Sequence, residues 1–166
     1  MFDELPQFAT VKDVVIFLLA IYGAGLSTFN LRQAMRREKR RVMVKFNTMV
    51  PTYADGSLGE RYASIEATNV GHRVVRIETI GWSLPGNRHM FPTVRNSFPG
   101  MPDTDLPASL EDGDTARLIM SYADIAGALS DGGYTGTVEI TPYCKDTTGK
   151  THTGKPWQFD LNERHG

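Results

Sequence analysis

An uninterrupted apolar stretch constrains this chain more than any other feature. Residues 14–31 read VVIFLLAIYGAGLSTFNL, with no charged side chain between Asp13 and Arg32. A helix of that length spans about 27 Å, close to the ~30 Å hydrocarbon core of a bilayer. A cluster of basic residues follows at once, ends at Lys45 and contains a single acid, Glu38. These features predict a transmembrane helix with a basic flank.

A cleaved signal peptide and a buried core helix are the alternative interpretations of the apolar stretch. A signal peptide carries basic residues before its apolar core, whereas Asp3, Glu4 and Asp13 make this N-terminal flank acidic. A core helix of a soluble domain has a polar face at helical spacing, and residues 14–21 have none. A single membrane-spanning segment is therefore favoured over both.

The distribution of charge predicts the orientation of that segment. Residues 1–31 carry one base and three acids (net −2), and residues 32–45 carry seven bases and one acid (net +6). Residues 46–166 carry ten bases and fifteen acids (net −5). Basic residues next to a span stay on the cytoplasmic side. We therefore expect an inner-membrane protein with its N-terminus outside and its C-terminal domain in the cytoplasm. The lone Cys144 agrees, because exported domains more often carry paired cysteines.

The basic cluster has a topological and a binding interpretation, and both can hold together. In the first, the cluster sets the orientation of the span. In the second, it binds anionic lipid headgroups, with a binding free energy of about 1 kcal/mol per basic residue. Nucleic-acid binding is disfavoured because no aromatic residue interleaves the cluster. The residues expected to contact anionic lipid are Arg32, Arg36, Arg37, Lys39, Arg40 and Arg41.

Small residues recur at helical spacing inside the apolar stretch. Such a row lets a second helix approach closely, although glycine and alanine are common in membrane helices in any case. The pattern favours packing against a membrane-protein partner or a second copy of the chain. The expected packing residues are Ala20, Gly23, Ala24, Ser27 and Thr28.

Beyond the basic cluster the apolar residues alternate with polar ones, which indicates half-buried strands. No strand–helix–strand alternation is present, and one short helix is expected near 123–129. The pattern predicts a mainly β fold: an N-terminal transmembrane α-helix followed by an antiparallel immunoglobulin-like β-sandwich of six or seven strands. The predicted strands lie near 42–47, 63–68, 74–82, 91–95, 115–122, 135–143 and 157–161.

The predicted domain organisation follows directly from these patterns. Residues 1–13 form a short N-terminal tail and residues 14–31 the transmembrane helix. Residues 32–41 form a basic juxtamembrane segment, and residues 42–163 form the β-sandwich domain.

Residues 85–107 are rich in proline and glycine, which exclude a long helix or a central strand. The segment nevertheless contains several large apolar residues. They predict either an exposed interaction patch or a loop that folds back and caps the sandwich. The candidate interface residues are Met90, Phe91, Val94, Phe98 and Met101. If the segment instead holds a ligand or an active site, its polar candidates are Arg88, His89, Arg95 and Asn96.

No sequence pattern indicates catalysis, a cofactor or a metal. Gly149-Lys150-Thr151 resembles the end of a phosphate-binding loop, but the first glycine of that motif is replaced by Cys144. The four histidines are scattered without metal-ligand spacing. The acidic turn 111–114 does not continue into a calcium-binding loop. A non-enzymatic protein without catalytic, cofactor-binding or metal-binding residues is expected.

Three short motifs give the chain a resemblance to a known group of proteins. They are Asn69-Val-Gly-His-Arg-Val-Val-Arg-Ile, Leu106-Pro-Ala-Ser-Leu-Glu-Asp-Gly and Asp146-Thr-Thr-Gly-Lys. In this order, after an N-terminal span and basic run, they resemble uncharacterised small bacterial single-pass membrane-anchored proteins. The resemblance implies a C-terminal β-sandwich without established catalysis and supplies no functional residues.

Taken together, the sequence predicts a membrane-anchored protein whose β-sandwich serves protein interaction, as an accessory subunit of a membrane complex. The alternative is a ligand-binding or enzymatic domain with its site in the 85–107 segment.

Overall fold

The computed structural model describes residues 11–37, 40–92, 98 and 100–162, and within the N-terminal helix the side chains of residues 13–34. The chain divides into two compact units, Met1–Lys39 and Arg40–Gly166. Of the predicted elements, the tail before residue 11, Lys39, Val94, Arg95, Asn96 and residue 163 lie outside the described residues.

The first unit contains one helix, α1, Val11–Arg37. Asp13 lies in its first turn, where a negative charge interacts favourably with the helix dipole. The helix continues beyond the predicted end at residue 31 because the sequence Arg-Gln-Ala-Met-Arg-Arg consists of good helix formers. The first part of the predicted basic segment is therefore helical.

The second unit contains nine strands and one short helix within its described residues. These elements are β1 Val42–Met49, β2 Tyr62–Asn69, β3 Val75–Leu84, β4 Arg88–Met90, β5 Ala108–Leu110, β6 Thr115–Ser121, α2 Tyr122–Asp131, β7 Thr137–Asp146, β8 Thr151–Thr153 and β9 Trp157–Asp160.

The strands form two antiparallel sheets with the order expected of an immunoglobulin-like sandwich. The smaller sheet has the order β1-β2-β6. In the larger sheet β3 and β7 pair centrally, with β4 and β5 on the outer side of β3 and β8 and β9 on the outer side of β7. This arrangement matches strands A, B and E of one immunoglobulin sheet and C, F and G of the other. The predicted fold class, a mainly β chain with an N-terminal apolar helix before an antiparallel sandwich, is confirmed. The strand number is corrected, because the described residues form nine strands where six or seven were predicted.

One hydrophobic core joins the two sheets. Ile65 on β2 and Leu118 on β6 belong to the same buried cluster as Trp82 on β3 and Ile140 on β7. Trp82 is fully buried, and in immunoglobulin domains the strand at this place in the order also carries a buried tryptophan. An aromatic group closes the core beside it: Phe46 stacks on Trp157 with ring centroids 5.0 Å apart.

The short helix α2 connects the two sheets. Ser121 caps its N-terminus by accepting a hydrogen bond from the backbone N–H of Asp124 at 3.0 Å. Ile125 and Leu129, four residues apart, face the core and are fully buried. Helix formation near 123–129 was predicted from the sequence, and the observed helix extends that range at both ends.

The structure adds strands that the alternation pattern does not reveal. β5 and β8 have three residues each and were not predicted. Of the predicted edge strand near 91–95, residues 91 and 92 are not in a strand, and residues 93–95 lie outside the described residues. β4 at 88–90 pairs with the end of β3 after a tight turn at Gly86 and Asn87. Both turn residues have positive φ, and glycine and asparagine tolerate that conformation best.

Candidate functional site

The apolar face of α1 is the most extensive exposed hydrophobic surface that the described residues contain. The stretch Asp13–Ala34 is 22 residues long, apolar enough to cross a membrane, and none of it is buried. Its large side chains are half to two-thirds exposed, from Leu26 at 45 % to Tyr22 at 66 %. A soluble protein rarely exposes so large a continuous apolar surface, and the helix has the length and composition to cross a membrane.

The predicted helix-packing residues lie on this exposed helix. Thr28 donates its hydroxyl to the carbonyl of Ala24 at 2.8 Å, which satisfies the hydroxyl without a second helix. A Cβ added at Gly23 would meet no heavy atom within 4 Å. Among the predicted lipid contacts, the described side chains of Arg32, Arg40 and Arg41 are exposed. The side chains of Arg36 and Arg37 lie outside the described residues.

The four described members of the interface predicted in the 85–107 segment are separated by the fold. Met90 is only 8 % exposed and belongs to the core, because it lies on β4 directly opposite Trp82. Phe98 is half-buried and packs edge-on against Tyr62 at 5.0 Å, so it covers the sandwich. Met101 bridges back to Phe98. Phe91, at 54 % exposure, is accessible to a partner.

The two described polar candidates of the same segment, Arg88 and His89, are engaged within the fold. The Arg88 guanidinium donates two hydrogen bonds to the carbonyl of Gly132, each 3.2 Å, and lies over the ring of Tyr134. His89 packs against Tyr143 with ring centroids 4.7 Å apart. These contacts tie β4 to the loop after α2 and to β7.

A cleft of about 230 Å³ adjoins the segment. Phe91, Pro92 and Leu106 form its apolar side, and Glu78 provides its carboxylate. Arg88 and His89 do not line it. The cleft therefore offers a place for an apolar group with little polar chemistry to orient it.

The outer edge of β1 presents backbone hydrogen-bonding groups that no other described strand uses. The backbone N–H of Val70 donates to the carbonyl of Arg41, so Arg41 directs its carbonyl toward β2. Because this direction alternates along a strand, the even-numbered residues of β1 direct their N–H and C=O groups away from β2. Those residues are Val42, Val44, Phe46 and Thr48. Within the described chain these groups have no backbone hydrogen bond.

The opposite edge of the same sheet is covered. Arg117 on β6 donates its backbone N–H to the Thr104 hydroxyl at 2.9 Å and accepts from the Thr104 backbone N–H at 2.9 Å. The backbone N–H of Ile119 donates to the Asp103 carboxylate at 2.7 Å. Proteins commonly protect sheet edges in this way. The eight-residue β1 has no such cover, whereas the outer strands of the larger sheet are only three or four residues long.

A cleft of about 340 Å³ runs beside the open edge of β1. It is lined by Met43, Val44, Lys45, Phe46, Asn47 and Lys155. Gly154 approaches the backbone of β1 closely, because a Cβ there would lie 2.7 Å from the carbonyl oxygen of Val44. The sequence predicts β1 but does not reveal this site, since only the pairing of distant segments decides which strand lies at an edge.

Cys144, His152 and Asp146 lie together on neighbouring strands, but their geometry does not activate the thiol. Cys144 on β7 pairs directly with His152 on β8, and His152 Nε2 lies 3.3 Å from Asp146 Oδ2. Burial, and then the charge of Asp146, raise the pKa of the Cys144 thiol to about 12. Cysteine nucleophiles require a lowered pKa. The arrangement is therefore suited to structure rather than to nucleophilic catalysis.

We expect Cys144 to resist maleimide labelling at pH 8 in the folded protein and to react completely after denaturation. The physical reason is that the reactive thiolate is suppressed and the side chain is fully buried. Cys144 is the chain's one cysteine, so mass spectrometry of the intact protein gives an unambiguous count. A Cys144→Ser variant, which has no thiol, is the negative control for labelling. Rapid labelling without loss of tryptophan fluorescence would contradict the structural role.

No family model, curated protein or solved structure matches this chain. Among the described residues, no group of three or more histidine, cysteine, aspartate or glutamate side chains is placed to hold a metal ion.

Proposed function

We propose that this protein is a single-pass inner-membrane protein that anchors a β-sandwich for binding another protein, as an accessory subunit of a membrane complex. The observation that carries the proposal is the stretch Asp13–Ala34, apolar and entirely exposed along 22 residues. Such a helix is stable in a bilayer, where its backbone groups are satisfied within the helix. The charge distribution orients its N-terminus outside and the β-sandwich in the cytoplasm.

The β-sandwich supports an interaction role through its open edge and exposed side chains. β1 offers unpaired backbone groups beside a cleft, and Phe91 adds an exposed aromatic ring. The helix offers a second contact surface, with Ala20, Ala24 and Thr28 at a spacing of four residues. Arg32 and Arg40 add positive charge for anionic lipid headgroups.

Membrane extraction and reporter fusions test the anchor and its orientation. We expect the full chain to resist alkaline carbonate extraction and to require detergent. A C-terminal reporter that functions only in the cytoplasm is expected to be active, and one that functions only after export is expected to be silent. Replacing Arg36, Arg37, Arg40 and Arg41 with glutamine weakens this preference, because basic residues beside the span set the orientation.

The extraction result tests the anchor, and the reporter results test the orientation. Release by carbonate would contradict the anchor. An active export-dependent reporter on the native chain would contradict the cytoplasmic orientation. Matched replacement of Arg73, Arg76, Lys145 and Lys150 with glutamine, at exposed positions of the β-sandwich, removes the same charge outside the basic cluster and leaves the orientation unchanged.

A ligand-binding or enzymatic domain is the second candidate, and the cleft beside Phe91 is the observation that favours it. Native mass spectrometry of the protein purified in mild detergent separates the two candidates. A stoichiometric protein partner supports the accessory subunit, whereas a retained small molecule that Phe91→Ser removes supports the ligand site. The ligand would be largely apolar, because most of the described lining is apolar and Glu78 is its one charged side chain.

A further inference from the structure

We propose that the edge of β1 binds an extended acidic segment of a partner protein by adding it as a fourth strand to the smaller sheet. This inference rests on the proposed function, because it specifies how the anchored sandwich recognises its partner. Strand addition uses backbone hydrogen bonds for affinity and alternate side chains for specificity.

The backbone of β1 provides the pairing groups. Phe46 and Thr48 direct their N–H and C=O groups outward, and neither is bonded to another strand in the described structure. At Val44 the approach of Gly154 closes the edge. An added strand therefore pairs with the second half of β1, at Phe46 and Thr48, and its side chains lie along the cleft.

The charge of the cleft specifies an acidic segment. Lys45 and Lys155 line it, and none of the described lining residues carries a carboxylate. The neighbouring Glu66 is already held by Arg117, with Nη2 to Oε1 at 2.8 Å. Neither lysine has an ion-pair partner within the described part of the chain. Aspartate or glutamate at alternate positions of an added strand would meet both ammonium groups.

The same charge argues against a second copy as the occupant. A second copy would bring up another edge whose cleft is lined by the same Lys45 and Lys155, and no carboxylate is among the described lining residues. It would therefore offer these lysines no opposite charge. A partner that carries carboxylates does.

The opposite sheet edge shows what an occupied edge looks like in this fold. At β6 the backbone groups of Arg117 and Ile119 are bonded by Thr104 and by a carboxylate, that of Asp103. An incoming acidic strand would give β1 the cover that β6 receives from its own chain.

Peptide selection on the full chain in nanodiscs tests the proposal. A displayed library of random linear peptides is sorted against the protein, and the enriched peptides are sequenced. We expect enrichment of aspartate or glutamate at alternate positions. An enriched peptide, made synthetically, is expected to slow hydrogen exchange of the Phe46 and Thr48 amides, because those amides then donate to the added strand.

Two variants distinguish the contribution of backbone pairing to peptide binding from the contribution of charge. Thr48→Pro removes an outward N–H without touching the bonds between β1 and β2, so we expect binding of the selected peptide to be lost. Lys155→Glu reverses one charge in the cleft and is expected to weaken binding about tenfold. Lys150→Glu, on the turn before β8, makes the same charge change outside the cleft and leaves binding unchanged.

The proposal is overturned if no peptide is enriched, if neutral or basic peptides are selected, or if Thr48→Pro and Lys155→Glu bind the peptide as the native chain does. Self-association that Thr48→Pro abolishes would also overturn it, because a second copy would then occupy the edge. Carbonate extraction tests the membrane anchor independently of peptide binding. If the protein selects acidic peptides but is released from the membrane by carbonate, the proposed function is contradicted and strand addition at β1 is not.

Discussion

Replacing Asn69 with alanine is expected to lower the free energy of unfolding by about 3 kcal/mol and the midpoint of thermal unfolding by roughly 10 °C. Asn69 is fully buried at the end of β2. Its Nδ2 donates to the carbonyls of Arg73 at 2.7 Å and Leu110 at 3.0 Å, and its Oδ1 accepts from the N–H of Gly71 at 3.0 Å. Alanine would leave these three backbone groups without their partner, and an unsatisfied buried group is costly.

The thermal shift is measured in a non-ionic detergent by tryptophan fluorescence, because Trp82 and Trp157 both lie in the sandwich. Asn47→Ala is the matched control: Asn47 is exposed and makes one long hydrogen bond, 3.4 Å, to Glu66. A surface change of this kind is expected to alter the free energy of unfolding by less than about 0.5 kcal/mol. Equal effects of the two substitutions would show that the three buried bonds contribute little.

The Asn69 motif predicts the local turn but not the long-range contact of its side chain. The sequence Asn69-Val-Gly71 predicts a turn, and the chain does turn there. The sequence does not reveal that the asparagine side chain also holds Leu110, which lies 41 positions away on β5. That bond depends on the pairing of β3 with β5, which the motif does not contain.

Long strands were predictable because their alternation extends over enough residues to be distinguished from chance. β1, β2, β3, β6 and β7 each have seven or more residues, and each was located. β5 and β8 have three residues, too few for a period of two to be recognised. Their formation depends on the longer strands beside them.

The candidate sites were harder to predict than the fold for the same reason. Proline and glycine around Met90 indicated a surface loop, but pairing with Trp82 places that side chain in the core. The basic cluster and the apolar stretch were visible at once because both are contiguous in sequence. The cleft of Lys45 and Lys155 joins positions 110 residues apart, so it becomes visible only when β8 is placed beside β1.

We expect the sandwich to lose stability below about pH 4, and Asp146 to be a principal cause. Asp146 is 1 % exposed. Burial raises the pKa of its carboxyl group, but hydrogen bonds from Thr148, His152 and the backbone N–H of Lys150 outweigh burial and leave the pKa lowered. A lowered pKa in the folded state stabilises the fold above the unfolded-state value near 3.9. This stabilisation is lost as the pH falls through the folded-state pKa.

Two substitutions of Asp146 distinguish the effect of its charge on stability from the effect of its hydrogen bonds. Asp146→Ala removes the acceptor for the N–H groups of Thr148, at 2.9 Å, and Lys150, at 3.0 Å. We expect it to cost about 3 kcal/mol at pH 7. Asp146→Asn keeps an acceptor oxygen, so its cost at pH 7 is expected to be smaller. Both variants are expected to show a weaker dependence of stability on pH between 5 and 3 than the native chain.

Urea unfolding at pH 7, 5 and 3, followed by tryptophan fluorescence in non-ionic detergent, measures these differences. Asp55→Ala is the control, because hydrogen bonds from Ser57 also lower the pKa of Asp55 but its carboxylate is solvent-exposed. Water replaces those bonds when the side chain is removed, so we expect no measurable change. If Asp146→Asn retains the full acid sensitivity of the native chain, the loss of stability arises from other carboxylates, and the buried bonds of Asp146 act through geometry alone.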